Sequence, residues 1–288
     1  MREEVVQITA RDGRLLGGAL SLPEGQPRAA LLIAGANGVP HRFYAGTAAA
    51  LAERGLAVLR FDYRGLATSK IVPARRETAR MSDWGAVDID GAIDWLGARV
   101  SGAPLHLLGH SAGGWLPGLA PSAERLDSIV SVASQSGYWR LWPWPERLAI
   151  TTFWFAILPA AVAVFGYLPG WVLGGGESLP PGVAREWAHW GRRPDFAQRS
   201  SGPNGFEAFR GRLRAYAVVG DDFYAPRRAV EHFSRFYRQA KITEVRDFGR
   251  RAEERGAAGE KPKHFTVFSR TFRTALISEL SAFLLPAG

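Results

Sequence analysis

The 288-residue sequence contains no cysteine, few lysines and no apolar leader at its N-terminus. The absence of cysteine excludes disulfides, thiolate metal sites and a cysteine nucleophile. Residues 1–8 lack the apolar core of a signal peptide and lead directly into a strand pattern, so we expect a cytoplasmic protein. With 47% hydrophobic and 22% charged residues, the composition is that of a globular protein long enough for one large α/β domain.

The charge is unbalanced, with a formal net charge of +9 at pH 7. Only four of the 36 basic residues are lysines, and the arginines are spread along the chain in short pairs. A nucleic-acid site needs basic residues clustered on one face of the protein. We therefore expect a scattered basic surface and no nucleic-acid partner.

Glycine is abundant, and one glycine-rich stretch stands out. An apolar run at residues 105–108 ends in a Gly-x-Ser-x-Gly sequence formed by Gly109, Ser111 and Gly113, after which a helix pattern begins. A serine at the apex of such a strand-turn-helix unit has its Oγ exposed at the carboxyl end of the strand. Ser111 is the candidate nucleophile; the alternative is an ordinary glycine-rich turn.

The rest of the chain alternates between predicted strands and helices. A hairpin is predicted at residues 5–21. Buried strands are predicted at residues 29–33, 57–63, 128–133, 213–219 and 242–248, and helices at 44–53, 84–100, 225–238 and 265–285. Strand-helix-strand order implies parallel strands joined by right-handed crossovers.

A serine nucleophile needs a base in hydrogen-bond reach and a carboxylate that orients the base. In an α/β sheet these partners follow the serine at strand carboxyl ends, in the order Ser, acid, His. Asp222 follows the strand predicted at 213–219, and His264 follows the last strand and its loop. Asp221 competes with Asp222; we favour Asp222, which lies four residues before Pro226.

Negative charge on a tetrahedral intermediate needs donors already aimed at it, usually two backbone N–H groups. One donor is expected to be the Ala112 N–H, at the start of the helix after the nucleophile. The other is expected from the loop of residues 35–38, where we favour the Asn37 N–H over that of Ala36.

Taken together, these motifs resemble the α/β-hydrolase superfamily, from about Val5 to Leu285. The features that carry the resemblance are residues 34–38, Asp62-Tyr63-Arg64-Gly65 with Ser69, residues 109–114, Gly220-Asp221-Asp222 with Pro226, and His264. The resemblance implies a mostly parallel, twisted sheet of about eight strands with helices on both faces. It also implies a serine hydrolase with a cap between the sixth and seventh strands, similar to bacterial esterases or serine-aminopeptidase-like proteins.

The α/β alternation stops at an uncharged stretch, residues 148–176. About 20 apolar residues suffice to span a bilayer, but Pro159, Gly166 and Pro169 interrupt this stretch, so we favour an inserted apolar cap over a transmembrane span. The predicted organisation is a first part of the hydrolase core at 1–136, a helical cap at 137–209 and a second part of the core at 210–288.

The sequence thus predicts a serine hydrolase that cleaves a carboxylic ester or related acyl bond of a hydrophobic small molecule through an acyl-enzyme. Neither a cofactor nor a metal ion is expected. Three aromatic side chains, Trp115, Trp139 and Trp154, are expected to contact the substrate.

Three alternatives remain open at this stage. The chain could be a catalytically silent, hydrolase-like binding module. It could be a serine aminopeptidase, in which Glu186 would hold the amine of the substrate. It could also be a hydrolase in weak contact with a membrane surface, through the basic and aromatic rim of the cap around Trp139, Trp142 and Trp144.

Overall fold

A computed structural model describes residues 1–199 and 204–285 of the chain. These residues form one eight-stranded sheet with the strand order β1-β2-β4-β3-β5-β6-β7-β8. The strands are β1 Arg2–Thr9, β2 Leu15–Leu22, β3 Ala29–Ala34, β4 Leu56–Phe61, β5 Leu105–His110, β6 Ser128–Val132, β7 Arg212–Val218 and β8 Ile242–Phe248. β2 is antiparallel to both β1 and β4, and all other neighbours are parallel. The predicted α/β fold is confirmed.

The antiparallel edge of the sheet begins with a hairpin. The Ala10 N–H donates to the Arg14 carbonyl at 2.8 Å across the turn. Gly13 in this turn has a φ of +85°, which glycine adopts without the steric cost of a Cβ. The hairpin therefore extends the parallel sheet by two strands, as the sequence predicts.

The central parallel strands β3 to β6 are buried at every position. β3 is apolar throughout, as is typical of a strand covered on both faces, and the other three are mostly apolar with a few buried polar residues: Arg60, His106, His110, Ser128 and Ser131. In β3, Ala30 and Leu32 belong to one hydrophobic core, whereas Leu31 and Ile33 belong to another. Alternate residues of a strand point to opposite faces, so a separate core covers each face of the sheet.

Helices supply the second layer of each core. The α-helices are α1 Ala45–Ala52, α2 Met81–Asp83, α3 Asp90–Arg99, α4 Ala112–Trp115, α5 Glu146–Thr152, α6 Leu158–Phe165, α7 Pro181–Gly191, α8 Gly205–Ala208, α9 Arg227–Ser234 and α10 Arg270–Leu284. α1 and α10 pack on one face of the sheet, and α3, α6 and α7 on the other. The last helix begins later than predicted, because Thr266–Phe268 form a 3-10 turn and Ser269 has an extended backbone.

The segment between β6 and β7 contains α5 to α8. α5, a π-helical turn at Phe153–Ile157 and α6 form one continuous helix, Glu146–Phe165, which we call the apolar helix. By length and composition alone this helix could cross a membrane, with a mean hydropathy of 2.1 over its most apolar window, of which 22% is buried. The cap predicted at 137–209 covers this segment and includes residues 200–203, which lie outside the described residues.

Candidate active site

The turn after β5 holds the candidate nucleophile. Since β5 ends at His110 and α4 begins at Ala112, Ser111 alone makes the turn between them. Its φ of +52° lies in a region that costs a non-glycine residue about 1–3 kcal/mol. Two backbone hydrogen bonds hold it there: the Ser111 N–H donates to Val132 at 3.0 Å, and the Gly114 N–H donates to the Ser111 carbonyl at 3.1 Å. The partly exposed serine therefore lies at the carboxyl end of the strand.

The flanking glycines are required by close packing of backbone. A Cβ at Gly113 would lie 1.9 Å from the carbonyl oxygen of Ala34, and a Cβ at Gly109 would lie 2.3 Å from that of Gly113. Both distances are too short for any side chain. The spacing of the motif thus has a structural cause, since the turn brings α4 against β3 and β5 at these two positions.

The carboxylate that reaches His264 is Asp221. The His264 Nδ1–H donates to Asp221 Oδ2 at 2.6 Å, and both side chains are buried. The second oxygen of the carboxylate accepts the Tyr224 N–H at 3.2 Å. Asp222, which we favoured from its distance to Pro226, is exposed and does not partner His264. The structure therefore corrects the predicted acid to Asp221.

The reason for this correction is the conformation of the turn after β7. The Asp221 N–H donates back to the Val218 carbonyl at 2.9 Å, which forms a tight turn directly after the strand. The turn directs Asp221 inward and leaves the following residue in solvent. Spacing in the sequence cannot distinguish two adjacent acids, but burial can, because a carboxylate that holds an imidazole has to be excluded from water.

His264 lies at the end of the loop that follows β8. The Gly220 N–H donates to the Pro262 carbonyl at 3.0 Å, which ties this loop to the turn that carries the acid. The His264 ring contacts the rings of Tyr224 and His110, each at a centroid distance of 4.9 Å. Within the described ranges, neither His264 Nε2 nor Ser111 Oγ forms a hydrogen bond, so both atoms remain available to a substrate or to each other.

A buried chain of hydrogen bonds connects the loop after β3 to His264. The Ala36 N–H donates to Tyr44 Oη at 2.9 Å, and Tyr44 Oη lies 2.8 Å from His110 Nδ1. On the other side of its ring, His110 Nε2 lies 3.0 Å from the His264 carbonyl oxygen. We call these contacts the Tyr44–His110 relay.

The donor and the acceptor of each hydrogen bond in the Tyr44–His110 relay follow from the protonation state of His110. Burial, followed by the nearby His264, lowers the pKa of His110 well below its ordinary value, so this imidazole is neutral. A carbonyl only accepts, so the His110 Nε2–H must donate to His264. His110 Nδ1 then accepts from the Tyr44 hydroxyl. No local sequence pattern pairs His110 with Tyr44, which lies 66 positions earlier.

The relay also bears on the predicted oxyanion donors. Because the Ala36 N–H already binds Tyr44, it is not free for an oxyanion. Among the described hydrogen bonds, the N–H groups of Asn37 and Ala112 have no acceptor. The buried Asn37 Oδ1 also lacks a partner. Of the two loop residues considered, Asn37 is therefore the one with an available backbone donor.

A cavity of about 390 Å³ opens beside this loop. It is lined by Asn37, Arg42 and Phe43, by Phe265 next to the histidine, and by Leu173 and neighbouring glycines of the segment between β6 and β7. Most of these groups are apolar. The cavity therefore offers a mainly hydrophobic compartment that contacts the predicted donor loop through Asn37 and lies one residue in the chain from the predicted base.

The three tryptophans expected to contact substrate do not line this cavity. Trp115 is buried against Trp190 and Phe196 in the core. Trp154 is also buried, and its Nε1–H donates to the Gly137 carbonyl at 2.9 Å. Trp139 is half-buried near Arg140. Aromatic residues in an apolar sequence pattern are thus used here for packing.

Two other side chains have structural partners. Both oxygens of Glu186 accept hydrogen bonds from Ser82, including its backbone N–H at 2.7 Å. His106 and His110 are four residues apart in β5, and each ring has its own partner. His106 Nδ1 lies 2.8 Å from Ser128 Oγ, and His110 belongs to the Tyr44–His110 relay. In the part of the chain that the structure describes, no group of three or more His, Asp or Glu side chains could hold a metal ion.

Comparison with solved structures gives matches along nearly the whole chain. A lipase in an open form has a TM-score of 0.63 and 16% identity, and the match covers 98% of each chain. An esterase from Pyrococcus furiosus has a TM-score of 0.60 and 14% identity, with 98% of this chain and 92% of the esterase covered. An α/β serine hydrolase without a lid from Xanthomonas campestris has a TM-score of 0.55 and 16% identity, with 100% and 97% covered. At these identities the matches show a shared fold.

A search of curated protein sequences gives no match. A family model described as the alpha/beta hydrolase family matches residues 30–257, which contain the Ser111 turn and Asp221. That range is more than half of the sequence, so the chain belongs to the alpha/beta hydrolase family.

Proposed function

We propose that this hydrolase uses a Ser111-His264-Asp221 triad to cleave a carboxylic ester, or a related acyl bond, of a hydrophobic small molecule. The observation that carries the proposal is the buried Asp221–His264 pair beside the strained serine turn. A paired imidazole and carboxylate are what a serine hydroxyl needs to react near neutral pH. The proposal retains the predicted serine and histidine and replaces the predicted acid.

The proposed reaction has two halves. His264 Nε2 accepts the hydroxyl proton as Ser111 Oγ bonds to the substrate carbonyl carbon, and Asp221 stabilises the imidazolium. The N–H groups of Asn37 and Ala112 donate to the oxyanion. His264 returns the proton to the leaving alcohol as the ester bond breaks. Water then attacks the acyl-enzyme by the same route and releases the acid.

The substrate class follows from the cavity. Its walls include Val39, Phe43 and Leu173, so an apolar acyl or aromatic group placed there would leave water. That transfer contributes about 25 cal/mol per Å² of apolar surface. An aminopeptidase is less well supported, because the carboxylate of Glu186 already binds Ser82.

A fluorophosphonate probe tests the proposal directly, because it bonds covalently to an activated serine oxygen with loss of fluoride. We expect one adduct on Ser111, no adduct in Ser111→Ala, and normal labelling in the matched control Ser101→Ala, whose serine is exposed. Acyl esters of graded chain length then define specificity, with Ser111→Ala as the blank. A wild-type protein that neither labels nor hydrolyses any ester would instead be the silent binding module.

A further inference from the structure

The apolar helix has two apolar faces. Its inner face packs on the core through Trp154, Leu158 and Val162, all of which are buried. Its opposite face, together with the turn that follows, carries large side chains that are 43% to 75% exposed. We call them the outer face: Leu148, Phe155, Ile157, Val164, Phe165 and Trp171.

Exposure of this kind is unusual for a surface helix. Such a helix normally has one apolar stripe toward the core and a polar stripe toward water. Here no charged residue occurs between Arg147 and Glu177, so the outward stripe is apolar as well. Large apolar side chains exposed side by side and bordered by polar residues are typical of a contact with a partner or a membrane.

Arginines lie beside the outer face toward both ends of the helix. The Arg192 guanidinium lies 4.9 Å from the centroid of the Phe155 ring. Arg140 lies at the same distance over Trp139, whose ring is 6.4 Å from that of Phe155. At the other end of the helix, the position of a Cβ on Gly166 is 3.6 Å from Arg75 Cβ.

This rim is mainly basic. Arg75 and Arg140 are exposed, and Glu146 in the first helical turn is half-buried. Basic groups next to a membrane-facing surface are attracted to anionic headgroups, an effect that weakens with salt. An uncharged apolar centre with a basic rim is therefore complementary to an anionic bilayer surface.

The outer face also leads to the cavity of the candidate site. A shallow depression of about 640 Å³ on this face is lined by residues that include Val164, Trp171 and Val172. The next residue, Leu173, lines the cavity beside Asn37. The depression on the outer face and the cavity are therefore lined by consecutive residues, Val172 and Leu173.

We propose that the outer face docks on the surface of a bilayer that contains anionic lipids, with the apolar helix lying in the plane of the headgroups. A spanning orientation would pull Leu158 and Val162 out of the core, at the cost of the packing they make there. In-plane docking buries the exposed stripe and leaves the inner packing intact. Docking does not depend on the proposed hydrolysis.

Vesicle flotation tests the proposal without requiring turnover. We expect the wild-type protein to float with vesicles of phosphatidylcholine and phosphatidylglycerol, and less with phosphatidylcholine alone or at high salt. The double variant Phe155→Glu/Val164→Glu should bind anionic vesicles at least about tenfold more weakly. The matched control Val5→Glu changes a 92% exposed valine on β1 and should bind normally.

Folding and activity controls accompany the assay. Val164→Glu alone alters a 75% exposed side chain, so it should fold as the wild type does and still bind more weakly. Hydrolysis of a short soluble ester should be equal in all variants that fold, since none of them alters a triad residue.

Three results would overturn the proposal. Equal flotation of wild type and Val164→Glu would show that the outer face does not mediate binding. Resistance to alkaline carbonate extraction would indicate a spanning helix. Absence of flotation together with a dimer that Val164→Glu dissociates, measured by light scattering, would show that a second copy covers this face.

Discussion

The candidate active site and the apolar helix differ in the kind of side chain that each buries or exposes. At the site, polar groups are buried, and most of them bind one another over short distances, as Asp221 does with His264 and Tyr44 with His110. On the apolar helix, apolar groups such as Val164 and Phe165 are exposed to water. The first arrangement fixes atoms for a reaction, whereas the second presents a surface for contact. Substitutions in the two regions should therefore affect different measurements.

The largest effect is expected at the carboxylate. Asp221→Asn should lower kcat for a soluble ester by about 10³- to 10⁴-fold, because the amide would stabilise the wrong histidine tautomer and no imidazolium. Asp222→Asn is the matched control and should stay within about threefold of wild type, because Asp222 is exposed. Steady-state kinetics on the purified variants measure both kcat values. A large loss of kcat in Asp222→Asn alone would show that Asp222 is the acid, as the sequence favours.

The two faces of the apolar helix should differ in stability. Trp154→Ala removes a buried indole that also donates to Gly137, and should lower the free energy of unfolding by about 3–5 kcal/mol. Val164→Ala on the outer face should change it by no more than about 0.5 kcal/mol. Denaturant unfolding measures both values. Similar losses would mean that both faces of the helix are packed.

The core should lose stability in acid because of His106. Burial lowers the pKa of His106 to about 4, so the unfolded chain binds a proton near pH 6.5 that the folded chain does not. Above pH 6.5 His106 is neutral in both states and does not change the free energy of unfolding. As the pH drops from 6.5 to 4, protonation of the unfolded chain lowers the free energy of unfolding by about 3 kcal/mol. Unfolding measured across this range should have a shallower pH slope in His106→Gln, and equal slopes would show that His106 is not the cause.

A smaller effect is expected from the Tyr44–His110 relay. Tyr44→Phe leaves the Ala36 N–H and His110 Nδ1 without their partner, and should lower kcat by about tenfold through looser placement of His264. Tyr216→Phe is the matched control, because its buried ring also loses a hydroxyl hydrogen bond, to Glu279. It should cost stability and leave kcat unchanged. Equal kcat values for Tyr44→Phe and Tyr216→Phe would show that the Tyr44–His110 relay has only a structural role.

The sequence and the structure agree where the backbone depends on local pattern. The turn at Ser111 could be predicted because it needs glycines at fixed spacing, and the central strands could be predicted because they are mostly apolar. The position of His264 after the last strand follows from the order of the elements, and its role as the base is a proposal. In each case a short stretch of chain carries enough physical constraint to be read alone.

The remaining features depend on contacts between distant segments. The choice between Asp221 and Asp222 is made by one turn. The pairing of Tyr44 with His110 is made where the 3-10 turn His41–Tyr44 meets the end of β5. The outer face has no distinct sequence signal either. A helix that is apolar on both sides shows its hydrophobicity in the sequence, but only the fold shows which side remains uncovered.

The positive φ of Ser111 implies a conflict between robustness and chemistry. Glycine would occupy this turn without strain, so it is the replacement that relieves the backbone while removing the oxygen of the proposed nucleophile. A library selected only for heat resistance should therefore enrich inactive proteins at this position. Under the proposed mechanism the serine persists only under selection for turnover, so the identity of residue 111 in a drifting population would report whether the reaction is still in use.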